Sequence, residues 1–110
     1  MNAVSVKREA TKSNWRELAE KMAEVINKET LKNTFVETTL YSAGLELLVY
    51  MEEGKEWFGI SHRVPVAMLM RIEGTIKVRH DKVEMLQGAV EAFAQEYQTA
   101  VKIIDVDRIE

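Results

Sequence analysis

Two segments of the chain place apolar residues at three- and four-residue steps, the spacing of an amphipathic helix. The first segment covers about Asn14–Glu29, where Asn14 and Glu17 have the spacing of a capping pair. In the second segment Asp81 is the predicted N-cap, and the apolar face continues to Tyr97. The sequence therefore predicts one helix near each end of the chain.

A glycine, Gly88, lies inside the second predicted helix. Glycine in a helix interior destabilises the helix by about 1 kcal/mol relative to alanine. We therefore expect another backbone to pass close to Gly88.

Between the helices, apolar and polar residues alternate, as in β-strands that bury one face. The alternation is longest between Val64 and Val78, where every even-numbered residue except Gly74 is apolar. An odd-length loop centred on Gly74 keeps these residues on one core face. It predicts a hairpin of strands at about Arg63–Ile72 and Thr75–Arg79, and a single long bent strand is the alternative.

An earlier hairpin is predicted in the segment EEGKEW, with a two-residue turn at Glu53 and Gly54. This turn sets Tyr50 opposite Trp57 on the face of the sheet that lies away from the core. Leu47 then falls on the core face with the neighbouring apolar residues.

Together these elements predict an α+β two-layer sandwich, in which an antiparallel meander of about four to five strands packs against two helices. The predicted order is α-β-β-β-β-α-β, with the last strand at Val101–Val106. Residues 1–12 are predicted to be a flexible arm or an extra N-terminal edge strand. With 110 residues and no linker-like stretch, residues 1–110 are predicted to form a single domain.

Composition excludes several chemistries. The chain has no cysteine, which rules out disulfides, thiolate nucleophiles and cysteine-bound metals. It has neither a secretory signal nor an apolar run near the roughly 20 residues of a membrane helix, so we expect a cytoplasmic protein without a membrane partner. Phosphate-binding glycine motifs are missing, and His62 and His80 are the only histidines. We expect no metal, cofactor or catalytic residue, and a protein that is not an enzyme.

The predicted sheet face away from the helices is too apolar for a passive surface. Aromatic residues with arginine at the rim are typical of protein contacts, and two-fold homodimers are the commonest assemblies. The leading hypothesis is a small adaptor, regulator or inhibitor that binds itself, as a homodimer or larger homo-oligomer, and another protein. Its candidate partner-binding residues are Phe35, Tyr41, Leu48, Tyr50, Trp57, Arg63 and Arg71.

Three alternatives remain open for this face and its surroundings. Residues 60–82 carry five basic and two acidic side chains, although the whole chain has a net charge of −3. The same face could therefore bind single-stranded nucleic acid. The first helix or the N-terminal arm could instead cover the face, and a small-ligand or catalytic cleft could lie between the sheet and the second helix. The basic residues of the nucleic-acid hypothesis are Arg63, Arg71, Lys77 and Arg79.

Overall fold

The computed structural model describes residues 12–30, 34–41, 44–53 and 62–109, with the side chains of 14–30, 46–52 and 62–109. The described chain contains two α-helices and a five-stranded sheet, and a single 3-10 turn at His80–Lys82 leads into the second helix. In chain order the elements are α1 (Lys12–Thr30), β1 (Thr34–Tyr41), β2 (Gly44–Glu53), β3 (His62–Met70), β4 (Thr75–Arg79), α2 (Val83–Glu96) and β5 (Lys102–Val106).

The five strands lie side by side in chain order, from β1 at one edge to β5 at the other. The pairs among β1 to β4 are antiparallel, whereas β4 and β5 are parallel, with Ile76 opposite Ile103. Parallel neighbours need a crossover connection, which α2 supplies here. The predicted α+β class and element order are confirmed, but a purely antiparallel meander is wrong because β5 makes the sheet mixed.

Both helices pack on the same face of the sheet and form the main core. Trp15 of α1 and Phe93 of α2 meet edge to face, with ring centroids 5.4 Å apart. Beneath them, Leu47 and Val49 of β2 are almost completely buried. The largest side chains that are fully buried in the described chain are Trp15, Met22, Ile26, Leu47, Leu69, Ile76, Leu86, Val49, Val66 and Val78.

The residues predicted to cap α1 instead join the two helices. Since α1 begins at Lys12, Asn14 lies within its first turn. The Asn14 amide donates to the Tyr97 hydroxyl at 3.1 Å, and that hydroxyl donates to the Glu17 carboxylate at 3.4 Å. Tyr97 follows directly after α2, so these hydrogen bonds fix the end of α2 against the start of α1.

Asp81 also differs from its predicted role as the cap of the second helix. It lies in the 3-10 turn, and the N-cap position of α2 is Lys82, which makes no side-chain capping hydrogen bond. The Asp81 carboxylate accepts hydrogen bonds from Arg79 Nη2 at 2.8 Å and from Lys82 Nζ at 3.1 Å. These two cations hold the pKa of Asp81 down at about 2, with the Arg79 hydrogen bond as the largest cause.

A β-bulge in β3 overturns the prediction of an uninterrupted alternation. Val49 pairs with Ala67 and Tyr50 pairs with Pro65, so Val66 is an extra residue on β3. After the bulge, the alternation along β3 is reversed. Odd-numbered residues then face the helices, with Ala67 at 0% and Leu69 at 1% exposure, and Met68 and Met70 lie on the opposite face.

The hairpin after the bulge also differs from the predicted one. Met70 pairs with Thr75, so residues 71–74 form an even, four-residue turn, and Gly74 adopts a φ of +68°. Ile76 pairs with Leu69 on the core face. Ile72, which was predicted to be core, is 62% exposed.

The predicted hairpin in EEGKEW is wrong in its pairing. Tyr50 pairs with Phe35 on one side and with Pro65 on the other, which leaves no place for Trp57 opposite it. Glu53 at the end of β2 pairs with His62 at the start of β3. Residues 54–61, and Trp57 with them, lie outside the described residues.

The expected close approach at Gly88 is also wrong. A Cβ atom built at Gly88 meets nothing within 4 Å, and the residue is exposed. Gly88 therefore lies on the solvent side of α2, opposite the face that Leu86, Val90 and Phe93 bury.

Candidate functional site

We call the sheet face turned away from α1 and α2 the outer face. Its members follow from the strand registers, because directly paired residues in neighbouring strands share a face. The bulge at Val66 is the one place in β3 where the alternation shifts. Among residues with described side chains, the outer face carries Glu46, Leu48, Tyr50, Glu52, Arg63, Pro65, Met68, Met70, Thr75, Lys77, Arg79, Lys102, Ile104 and Val106.

A second apolar cluster lies on this outer face, separate from the main core. Leu48 of β2, Met68 of β3 and Ile109 pack together and are 9%, 8% and 7% exposed. We call these three residues the outer cluster. Tyr50, Met70 and Val106 are half-buried against it. The outer face is therefore apolar at its centre, through Leu48 and Tyr50 together with Met68, Met70, Val106 and Ile109.

Ile109 reaches the centre of the outer face from the edge of the sheet. It follows β5 by three residues, and three residues span at most about 10 Å. Neighbouring strands are about 4.8 Å apart, so the distance from β5 across β4 to β3 is also about 10 Å. The segment 107–109 therefore folds back over the sheet and places Ile109 on Met68 and Leu48.

The contact of Ile109 offsets only part of the free-energy cost of ordering segment 107–109. Burying an isoleucine side chain stabilises by roughly 1.5–3 kcal/mol. Fixing the backbone of each of three residues costs roughly 1–2 kcal/mol. The three residues together cost roughly 3–6 kcal/mol, which is at least as much as the burial of Ile109 supplies. Segment 107–109 is therefore held weakly, and small changes at the outer cluster are expected to shift it between bound and unbound positions.

The identity of the covering segment differs from the alternatives drawn from the sequence. α1 packs on the core side of the sheet, so it does not cover the outer face. Of the N-terminal arm predicted at residues 1–12, residues 1–11 lie outside the described part of the chain, and Lys12 is the first residue of α1. Ile109 gave no sequence signal, because a single apolar residue among charged neighbours has no periodicity.

Two of the predicted partner-binding residues, Leu48 and Tyr50, lie together at the outer cluster. On the backbone register Phe35 is opposite Tyr50, and Tyr41 is opposite Gly44 at the end of β1. The side chains of Phe35 and Tyr41 are not among the described ones, and Trp57 lies outside the described residues.

Met68 and Met70 are outer-face residues that the sequence analysis placed in the core. The one available signal for them was Pro65, because proline occurs within sheets mainly at edge strands and bulges. Pro65 lies immediately before the extra residue Val66. A proline inside a long alternating stretch therefore indicated where the alternation could shift.

The basic residues proposed for nucleic-acid binding have separate surroundings. Arg63 is exposed and pairs across the strands with Glu52. The Arg79 guanidinium donates two hydrogen bonds to the Asp81 carboxylate. Lys77 is half-buried on the outer face opposite Met68, and Arg71 lies in the turn after β3.

Charge is distributed unevenly across the outer face. On the β2 side it carries Glu46 and Glu52, and on the side of β4 and β5 it carries Lys77 and Lys102. The outer cluster lies between these two sides. Because Arg63 of β3 lies opposite Glu52, the acidic character of the β2 side rests mainly on Glu46, while the side of β4 and β5 is basic.

The space between α2 and the sheet is filled by core side chains, since Leu86, Val90 and Phe93 are at most 6% exposed. A groove of about 350 Å³ opens instead between the two helices. The described residues include no group of three or more histidine, aspartate or glutamate side chains placed to hold a metal ion. The groove is lined by Glu17, Leu18, Lys21, Ala89, Ala92, Phe93, Glu96 and Tyr97.

Neither α1 nor α2 is both long enough and apolar enough to cross a membrane, and this covers every helix in the described residues. Comparisons of the chain with protein-family models, with curated proteins and with solved structures find no significant match. The functional argument therefore rests on the geometry of the outer face.

Proposed function

We propose that the chain is a non-enzymatic protein-binding module that pairs with a second copy of itself through the outer face of its sheet. The observation that carries this proposal is the outer cluster of Leu48, Met68 and Ile109, on the side of the sheet that no helix covers in the described chain. These three residues are themselves buried, but the half-buried Tyr50, Met70 and Val106 around them leave apolar surface on this side of the sheet, and such surface commonly marks sites of association.

The residues around the outer cluster suit a protein partner. Tyr50, Met70 and Val106 are half-buried, so each has surface left to contribute to a contact. Tyrosine and methionine are enriched in protein interfaces, and the unbranched methionine side chain adapts to irregular partner surfaces.

The charge pattern favours a second copy as the partner. A two-fold axis parallel to the strands and above β3 would place the basic half of one outer face over the acidic half of the other. Because Glu46, Met70, Thr75 and Lys102 lie at one level of the sheet, Lys77 and Lys102 of each copy would then lie nearest to Glu46 of the other. Such self-complementary patches are what an isologous two-fold interface requires.

A heteromeric partner is compatible with the same surface, as in an adaptor, regulator or inhibitor. Single-stranded nucleic acid is the competing ligand, since the basic half of the outer face carries Lys77 and Lys102. Nucleic-acid binding would be strongly weakened by salt, whereas an apolar protein contact would not. These differing salt responses separate the two functions.

The test is sedimentation equilibrium of the purified chain at low and moderate salt, with and without a mixed-sequence oligonucleotide. We expect a dimer that persists at moderate salt and does not bind the oligonucleotide. Met70→Glu places a charge beside the outer cluster. We expect it to weaken the dimer about tenfold or more, because the glutamate carboxylate would have to be desolvated in the interface. Glu91→Lys, on the exposed side of α2, is the matched control and should leave the dimer unchanged.

A charge exchange tests the orientation of the pair. Glu46→Lys and Lys102→Glu are each expected to weaken the dimer at low salt, and the double variant should recover most of the loss. A monomer at every concentration would contradict the proposed function. A monomer that binds the oligonucleotide only at low salt would support nucleic-acid binding in its place.

A further inference from the structure

We propose that segment 107–109 is a built-in competitor for the outer face: Ile109 occupies the centre of the contact surface, and a partner binds fully only when Ile109 leaves it. This inference rests on the proposed function, because it describes how that same surface is regulated. Its physical basis is that the segment and an incoming partner would bury the same side chains, Leu48 and Met68.

Three observations support an exchangeable cover rather than a permanent part of the core. Among the described residues the outer cluster buries three side chains, and it is separate from the main core between the sheet and the helices. Asp107 and Arg108, which carry Ile109 back over the sheet, are both exposed. The segment also follows the edge strand β5, so it can lift without breaking any strand pair.

The competition has a defined direction. A covering segment attached to the same chain lowers the apparent affinity of a partner by the fraction of molecules in which the surface is open. Both copies of a homodimer must be open, so the open fraction counts twice. If about one molecule in three is open, removing the cover raises the apparent affinity of the dimer about tenfold. Weakening Ile109 is therefore expected to tighten the dimer, although it removes an apolar contact from the folded chain.

The experiment compares wild type, Ile109→Ser and Ile109→Leu, with Met70→Glu added to the serine variant in a fourth protein. Dimer affinity is measured by sedimentation equilibrium. Exposure of the outer cluster is measured independently by the fluorescence of 8-anilinonaphthalene-1-sulfonate, a dye that brightens on apolar surfaces, under dilute conditions where the chains are monomeric. Circular dichroism confirms that each variant remains folded.

We expect Ile109→Ser to tighten the dimer about tenfold and to increase dye fluorescence, whereas Ile109→Leu should behave like wild type. Adding Met70→Glu to the serine variant should reverse the gain in affinity. A weaker dimer in Ile109→Ser would show that Ile109 belongs to the interface and would overturn the cover. Unchanged dye fluorescence in Ile109→Ser would also overturn it.

The two proposals fail in different ways. If wild type and Ile109→Ser dimerise equally, the proposed function stands and the cover is overturned. If every variant is monomeric, the proposed function is overturned, and dye fluorescence alone decides whether Ile109 covers an openable apolar surface.

Discussion

His80 Nδ1 lies 2.8 Å from Asp105 Oδ2, and this contact joins the turn before α2 to the edge strand β5. Both side chains are largely exposed, so solvent reaches this contact. The hydrogen bond to Asp105 raises the pKa of His80 above its ordinary value of 6.5, and the negative charges of Asp105, Asp107 and Asp81 raise it further.

This contact predicts a pH dependence of stability. Because the pKa of His80 is raised in the folded chain, its stabilising contribution is present in full below about pH 6.5 and is lost as the pH rises through the folded pKa. We expect wild type to lose stability relative to His80→Gln as the pH rises above about 6.5, measured by urea unfolding. Asp105→Asn should remove most of the difference, since Asp107 and Asp81 make only the smaller contributions to the raised pKa. Parallel pH profiles for wild type and His80→Gln would contradict the prediction.

The bulge in β3 predicts which of two apolar residues matters for folding. Leu69→Ala is expected to destabilise by about 2–5 kcal/mol, because Leu69 is 1% exposed and its truncation leaves a cavity in the core. Ile72→Ala should change stability by less than about 0.5 kcal/mol, because Ile72 is 62% exposed in the turn. Denaturant unfolding measures both, and the reverse ranking would restore the uninterrupted alternation.

Gly88 and Gly74 form a matched pair of glycine substitutions with opposite expected signs. Gly88→Ala is expected to stabilise by up to about 1 kcal/mol, because the new methyl group meets open space and alanine favours the helix. Gly74→Ala should destabilise by about 1–2 kcal/mol or more, because Gly74 has a φ of +68° and the new Cβ would lie 3.2 Å from the Ala100 carbonyl oxygen.

Thermal unfolding of the two alanine variants checks this prediction, with Tm moving up for Gly88→Ala and down for Gly74→Ala. Loss of stability in Gly88→Ala would show that something does approach α2 at that position.

The end of α2 offers a further stabilising change. Gln98 has a φ of +48°, and its amide donates to the Gln95 carbonyl while the Thr99 amide donates to the Ala94 carbonyl. This is the hydrogen-bond pattern of a Schellman motif, whose left-handed position favours glycine. Gln98→Gly is expected to stabilise by about 0.5–1 kcal/mol, measured by urea unfolding. Thr99→Gly, one residue further on, is the control and should not stabilise.

Local patterns of the sequence predicted the helices and the last strand of the meander well. The predicted helix Asn14–Glu29 is observed as Lys12–Thr30, and β4 was predicted with its observed bounds, Thr75–Arg79. These elements follow from periodicities within a few residues, which tertiary contacts here reinforce.

The misplaced residues depend on information that alternation does not contain. A single extra residue, Val66, moves Met68 and Met70 to the outer face without changing the composition of β3. Strand propensity is the same for either strand direction, so the sequence of β5 does not indicate that it runs parallel to β4. Its direction follows from the path of α2 across the sheet. Ile109 is placed by the chain folding back, and no local pattern marks it.

The parallel pairing of β5 with β4 also has a consequence for the newly made chain. Synthesis proceeds from the N-terminus, so β2 and β3 are complete well before the segment that carries Ile109 has been made. Until β5 pairs with β4 across α2, Leu48 and Met68 are without the side chain that covers them in the folded protein. We expect nascent chains to be most prone to aggregate in this interval. Ribosome-bound chains that end at residue 106 or at residue 109, each extended by a flexible linker long enough to clear the exit tunnel, should differ in their binding to chaperones.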